Sequence, residues 1–170
     1  MVKAFLAEGA SVVNADVTAP AAGSSARGSK TEAATYVNCD VSNEDSVERL
    51  VEVTASRFGR LDVMVANADI SIEKNVVETT VEEWDRSIDI NLKGVFLCCK
   101  HAVPIMQKQS GGSIIAMGSA LSHVAEPRLA AYCASKGGIG MLIRSVATDF
   151  GRDGIRANYL CPGYIETALT

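Results

Sequence analysis

Apolar residues along this chain switch period repeatedly, from the alternation of a strand to the three-and-four spacing of a helix. A chain built this way has few solutions, because parallel strands need crossovers and each helical crossover must bury one face on the sheet. The fold class is α/β. Residues 2–8 read as the last turns of a helix stopped by Gly9, and residues 11–16 as a strand ending in Asp16. Residues 18–30, rich in Ala, Ser and Gly, read as a loop or a weak helix. Residues 34–39 form the next strand, followed by a helix capped by Ser42, whose stripe is Val47, Leu50, Val51, Thr54 and Phe58 and whose end is Gly59. Residues 61–65 are a third strand. Thr80 and Glu83 make a capping box opening a helix to about Gln107, interrupted near Asn91 and Gly94 and kinked at Pro104. Residues 113–117 are a fourth strand, Ala130–Phe150 a helix, and residues 155–160 a fifth strand running into Pro162-Gly163.

Composition narrows the functions. The 170 residues suit one domain, and 16 basic against 20 acidic side chains leave a net charge of −4, without the basic excess that nucleic acid requires. No apolar run approaches the ~18 residues of a membrane span, and Glu8 comes too early for a signal peptide. Cys39, Cys98, Cys99, Cys133 and Cys161 are odd in number, without a CxxC pair, and read as small buried hydrophobes in a reducing cytoplasm. His101 reads as partly buried or solvated, His123 as a residue that can border a substrate, and Trp84 as a packing anchor.

Tyr132 and Lys136, four apart in a helix, place a phenol and an ammonium on one face. A neighbouring ammonium stabilises phenolate and lowers its pKa, so the pair can act as an acid/base. The spacing equally suits an ordinary half-buried Tyr and a solvated Lys. Ser119 adds weight, because it follows a strand at the edge where ligand clefts of doubly wound sheets open. Asp16, Asn67-Ala68-Asp69 and Pro162-Gly163 stand at three other strand ends.

Together these residues resemble the short-chain dehydrogenase/reductase family. Asn67-Ala68 stands where that family has Asn-Ala-Gly, Asn91-Leu92-Lys93-Gly94 is similar to its helix motif, and Ser119 precedes Tyr132 by thirteen residues as in the family. Tyr132-Cys133-Ala134-Ser135-Lys136 and Pro162-Gly163-Tyr164-Ile165-Glu166-Thr167 complete the likeness, which runs essentially end to end. The resemblance implies a Rossmann-type doubly wound parallel sheet, a nicotinamide dinucleotide, and a small secondary alcohol or ketone as substrate. It further implies a proton-relay tetrad. Tyr132 takes or gives the substrate proton, Ser119 holds the substrate oxygen, Lys136 lowers the Tyr132 pKa and binds the nicotinamide ribose, and Asn91 holds a water linking Lys136 to solvent. By the same resemblance Asp40, Val41, Asn67, Ala68, Pro162, Gly163, Ile165 and Thr167 line the cofactor. Asp16, a carboxylate after the second Rossmann strand with no adjacent Arg or Lys, favours NAD over NADP. A homodimer or homotetramer is implied through the helices at residues 81–107 and 130–150.

The likeness has gaps. No GxxxGxG precedes Gly9, so the chain is expected to lack the family's first strand with its Gly-rich phosphate loop, and a C-terminal substrate-covering segment beyond Thr170. Two inner strand edges, at Asp16 and near Val65, are then exposed, and the isolated chain is expected to fold poorly and turn over little. Asp69 replaces a Gly, adding a charge beside the cofactor's path. Two readings follow: an NAD-dependent dehydrogenase or reductase, or a non-catalytic truncated chain acting through association with intact relatives.

Overall fold

The computed structural model describes residues 1–19 and 34–165 of the chain. Five strands, β1 (Val12–Asp16), β2 (Ala34–Asn38), β3 (Val63–Ala66), β4 (Gly112–Met117) and β5 (Ile155–Leu160), alternate with helices α1 (Val2–Ala7), α2 (Glu44–Phe58), α3 (Val81–Ile88), α4 (Gly94–Lys108) and α5 (Ala130–Phe150). Every strand pairing is parallel: β1 with β2, and β3 with β4 with β5. These are two separate hydrogen-bonded sheets, so β1 and β3 share no ladder. They nevertheless share one core. Val13 and Ala15 of β1 and Val37 of β2 pack against the buried cluster that also holds Met64, Ile114 and Ile155.

Local chemistry explains where the elements start and stop. α2 opens on Asn43, whose side chain accepts from Ser46 N–H, and closes on Gly59 at φ 73°. The cap is therefore Asn43 and not Ser42. Ser42 is held instead by the Asp40 carboxylate, which accepts from its backbone N–H at 2.9 Å and its hydroxyl at 2.7 Å. Val47, Leu50 and Val51 are buried as expected, while Thr54 and Phe58 are only half-buried. The Thr80–Glu83 capping box is present in both directions. The long helix after it is not continuous. A π-turn, Asp89–Lys93, separates α3 from α4, and α4 runs through Pro104 to Lys108. β3 ends at Ala66 and not Val65, and residues 20–30 of the expected loop or weak helix lie outside the described residues.

Other expectations about burial need correction. Cys39, Cys98 and Cys99 are buried, but Cys133 is half-buried and Cys161 exposed. Burial pushes the Cys98 and Cys99 thiols up to about 12, so both stay protonated and inert near neutral pH. Trp84 is 40% exposed, so part of its ring stays open to solvent. His101 lies with its Nε2 3.4 Å from Glu44 at the α2–α4 contact.

Because β3, β4 and β5 are parallel and in register, with Ala66 beside Ala116 and Met117 beside Leu160, their C-terminal ends share one edge. The loops leaving that edge carry Asn67–Asp69, Ser119 and Pro162, and Ala120 N–H donates to Pro162 O at 2.9 Å across two of them. The site is built there.

Candidate active site

Helix α5 brings two polar side chains up against this edge. Lys136 is 1% exposed, so its ammonium needs partners within the protein. It donates to the carbonyl of Met117, the last residue of β4, at 2.8 Å, and pairs with Asp69 Oδ2 at 2.8 Å. Tyr132, one turn earlier and half-buried, places its ring 5.3 Å from the Lys136 Nζ and its hydroxyl 3.5 Å from the same Asp69 oxygen. Asp69 thus touches both members of the pair.

Ser119 follows Gly118 at the end of β4 and caps a short 3-10 turn, Ala120–Ser122. Its Oγ accepts from Leu121 N–H at 3.1 Å, and its N–H donates to Ser122 Oγ at 3.1 Å. Ser119 lies close enough to Tyr132 that its hydroxyl influences the phenol's ionisation. Lys136, Tyr132 and Ser119 therefore converge on the edge expected from their positions.

The electrostatics differ from the expectation. The Tyr132 phenol is held above its ordinary pKa, first by burial and then by the negative charge of Asp69, with the Ser119 hydrogen bond acting the other way. A pKa lowered by Lys136 was expected. The Asp69 carboxylate beside the phenol and the loss of water around the ring prevail.

Asn91 is 0% exposed, on the π-turn. Its Oδ1 accepts from Ile70 N–H at 2.8 Å, and its Nδ2 donates to Ile70 O at 2.9 Å and Ser135 Oγ at 3.1 Å. Its amide thus has partners on both its oxygen and its nitrogen within the protein. Ser135 in turn donates to Tyr132 O at 2.7 Å. Asn91 clamps the segment after Asp69 to α5 between Tyr132 and Lys136. Reasoning from sequence had not singled out Ser135, Ile70 or the Met117 carbonyl, although Ser135 lies inside the quoted Tyr132–Lys136 motif.

The remaining candidates occupy the rim. Asn67 and Ala68 are exposed beyond β3, Pro162 is half-buried, and Gly163 and Ile165 are exposed. A Cβ on Gly163 would meet none of the described residues within 4 Å. Asp16 stands exposed at the end of β1, one oxygen accepting from Thr18 N–H at 2.9 Å. The Asp40 carboxylate, lowered by its Ser42 hydrogen bonds, faces its own turn, and Val41 packs against Gly94, where a Cβ would come within 2.9 Å of Val41 Cγ2. Thr167 lies outside the described residues. His123 Nε2 sits 3.4 Å from the Tyr159 hydroxyl and 3.7 Å from Cys161 Sγ, in a cluster beside the edge. No group of three or more His, Cys, Asp or Glu among the described residues is arranged to hold a metal.

A family model described as enoyl-(acyl carrier protein) reductase matches residues 1–170. The chain is 38% identical over 169 residues to secoisolariciresinol dehydrogenase of Forsythia intermedia, covering 98% of itself and 61% of that protein. To meso-2,3-butanediol dehydrogenase of Serratia marcescens it is 36% identical, covering 98% of itself and 66% of the relative. The structure of aldohexose dehydrogenase from Thermoplasma acidophilum superposes with a TM-score of 0.89 at 28% identity, over 99% of this chain and 62% of that one. The chain thus spans about three-fifths to two-thirds of the length of these three proteins, and about half of other relatives. The parallel α/β arrangement is of Rossmann type.

Proposed function

The chain belongs to the short-chain dehydrogenase/reductase family, and from that membership we propose that it works in hydride transfer between NAD(H) and a small secondary alcohol or the matching ketone. The observation that carries the reading is the convergence of Tyr132, Lys136 and Ser119 on one strand edge, with Asn91 locking the helix that presents two of them. A phenol, a hydroxyl and a buried ammonium in one cleft can polarise a carbonyl oxygen and move one proton to or from it.

The residues present fit a dinucleotide at its sugar ends. Asp16 offers a carboxylate at an exposed strand end, suited to a ribose diol. Of the three N–H donors of Lys136, the Met117 carbonyl and Asp69 engage two among the described residues. Asn67, Ala68, Pro162, Gly163 and Ile165 would border the cofactor along the rim, with Asp40 and Val41 beyond the end of β2, and Thr167 is assigned to the cofactor from the family likeness alone. When bound, the nicotinamide supplies or accepts the hydride. In reduction, the Tyr132 hydroxyl gives its proton to the substrate oxygen while Ser119 holds that oxygen; in oxidation the same proton returns to the phenolate. With its pKa raised, Tyr132 stands as neutral phenol near neutral pH, the form that donates.

The test is an assay of secondary alcohols and ketones with both cofactors, on a version of the protein joined at its N-terminus to the family's first strand and Gly-rich phosphate loop. Turnover with NAD(H) exceeding that with NADP(H) is expected, and Asp16→Ala should narrow the gap by removing repulsion of the 2′-phosphate. Equal use of both cofactors by the parent protein would remove Asp16 from this role.

Self-association is proposed on the outward faces of the long helices. Phe96 of α4 is 46% exposed and Met141 of α5 63% exposed, large apolar side chains on elements otherwise packed inward. Sedimentation is expected to show a dimer or tetramer at micromolar concentration, and replacing both residues by Glu should shift the mass toward monomer. A monomer from the parent protein would remove the proposal. Among the described residues no helix is long and apolar enough to cross a membrane.

A further inference from the structure

We infer that Asp69 is a positioning residue of the proton-transfer pair, one that takes up the Lys136 ammonium and stands against the Tyr132 hydroxyl. The inference rests on the reading of Tyr132 as the acid/base. Its ground is geometric. One carboxylate oxygen, Oδ2, lies 2.8 Å from Lys136 Nζ and 3.5 Å from Tyr132 Oη, in a pocket where Lys136 is 1% exposed. The segment holding it is fixed from behind, because Asn91 bonds both the N–H and the C=O of Ile70, the next residue.

Charge placement gives the consequence. Next to an unaccompanied ammonium a phenol ionises more readily, whereas next to an ion pair the cation's influence is offset by the paired anion. Asp69 is that anion. The titratable groups facing Tyr132 are Lys136 and Cys133 from its own helix and Asp69 from the loop after β3, and Ser119 contributes a hydroxyl from the end of β4. Of these only Asp69 brings a carboxylate within hydrogen-bonding reach of the phenol. Tyr132 is therefore kept as a proton donor, and the carbonyl-reducing direction is favoured near neutral pH. Oxidation of an alcohol needs the phenolate, and its rate must climb with pH until the phenol ionises.

The test reads the phenol directly. With tyrosine labelled at the ring carbon bearing the hydroxyl, NMR follows the ionisation of each tyrosine, and Tyr132→Phe assigns the Tyr132 signal by its disappearance. Asp69→Asn keeps the shape and leaves an acceptor oxygen for Lys136; Asp69→Gly removes the side chain. In both, the Tyr132 midpoint is expected to fall by about one pH unit or more, a tenfold change in proton affinity, while that of Tyr159 stays in place. A midpoint unmoved in the folded Asn variant overturns the inference. If the midpoint falls and neither the parent nor a variant turns over any alcohol or ketone, the role of Asp69 stands and the proposed reaction fails. Where turnover is present, the rising limb of the oxidation profile should move to lower pH with the phenol.

Discussion

Tyr132→Phe is expected to reduce turnover by about 10²–10⁴-fold, the range that loss of a positioned acid/base produces. The substitution deletes one oxygen, keeps the ring beneath Lys136, and gives up a long contact to Asp69 of 3.5 Å and the Ser119 hydrogen bond. Stability should therefore change by about 1 kcal/mol, comparable to weak, partly buried hydrogen bonds. Steady-state rates beside thermal unfolding separate the two effects. Activity within a factor of a few of the parent, in a protein that melts normally, would place the proton transfer on another group.

The largest effect on stability is expected from Asn91→Ala. The side chain is fully buried, and its removal strips partners from Ile70 N–H, Ile70 C=O and Ser135 Oγ together, while opening a void in the π-turn. Each unsatisfied buried group costs about 1–3 kcal/mol, partly recovered where water can enter, so a loss of about 2–4 kcal/mol is expected. Urea unfolding should show a lower midpoint at an unchanged slope. A loss below about 0.5 kcal/mol would show that the clamp contributes little, and that the loop after β3 is held by its other contacts.

Much of this frame is legible in the residues because the determining interactions are local. Gly9 at φ 81° and Gly59 at φ 73° stop their helices, and Thr80 and Glu83 satisfy each other within four residues. The order of the strand ends follows from parallel topology, so Asn67, Ser119 and Pro162 fall on one edge once the strands are placed. Local reasoning fails where two neighbours compete or where a partner is distant. Ser42 and Asn43 are both able to cap, and Asp40, by binding Ser42, decides between them. The ionisation of Tyr132 depends on a carboxylate 63 positions away, which the four-residue spacing to Lys136 cannot reveal. The exposure of Cys161 is of the same kind, because whether a residue just past the strand end at Leu160 is covered depends on elements distant in sequence.

The π-turn at Asp89–Lys93 is one residue of slack in an otherwise regular rod. An α-helix advances about 100° per residue, so the extra residue sets the angular phase of everything that follows. A chain shorter by a single codon there would close the turn into ordinary helix and swing the α4 row of Val95, Cys98, Cys99, Ala102 and Met106 by about that angle relative to α3. The same deletion would carry Asn91 off its bond to Ser135. Residue identities on the outside of this segment can therefore drift while its length cannot, and a change in length here would cost the Asn91 clamp and the core packing in one event.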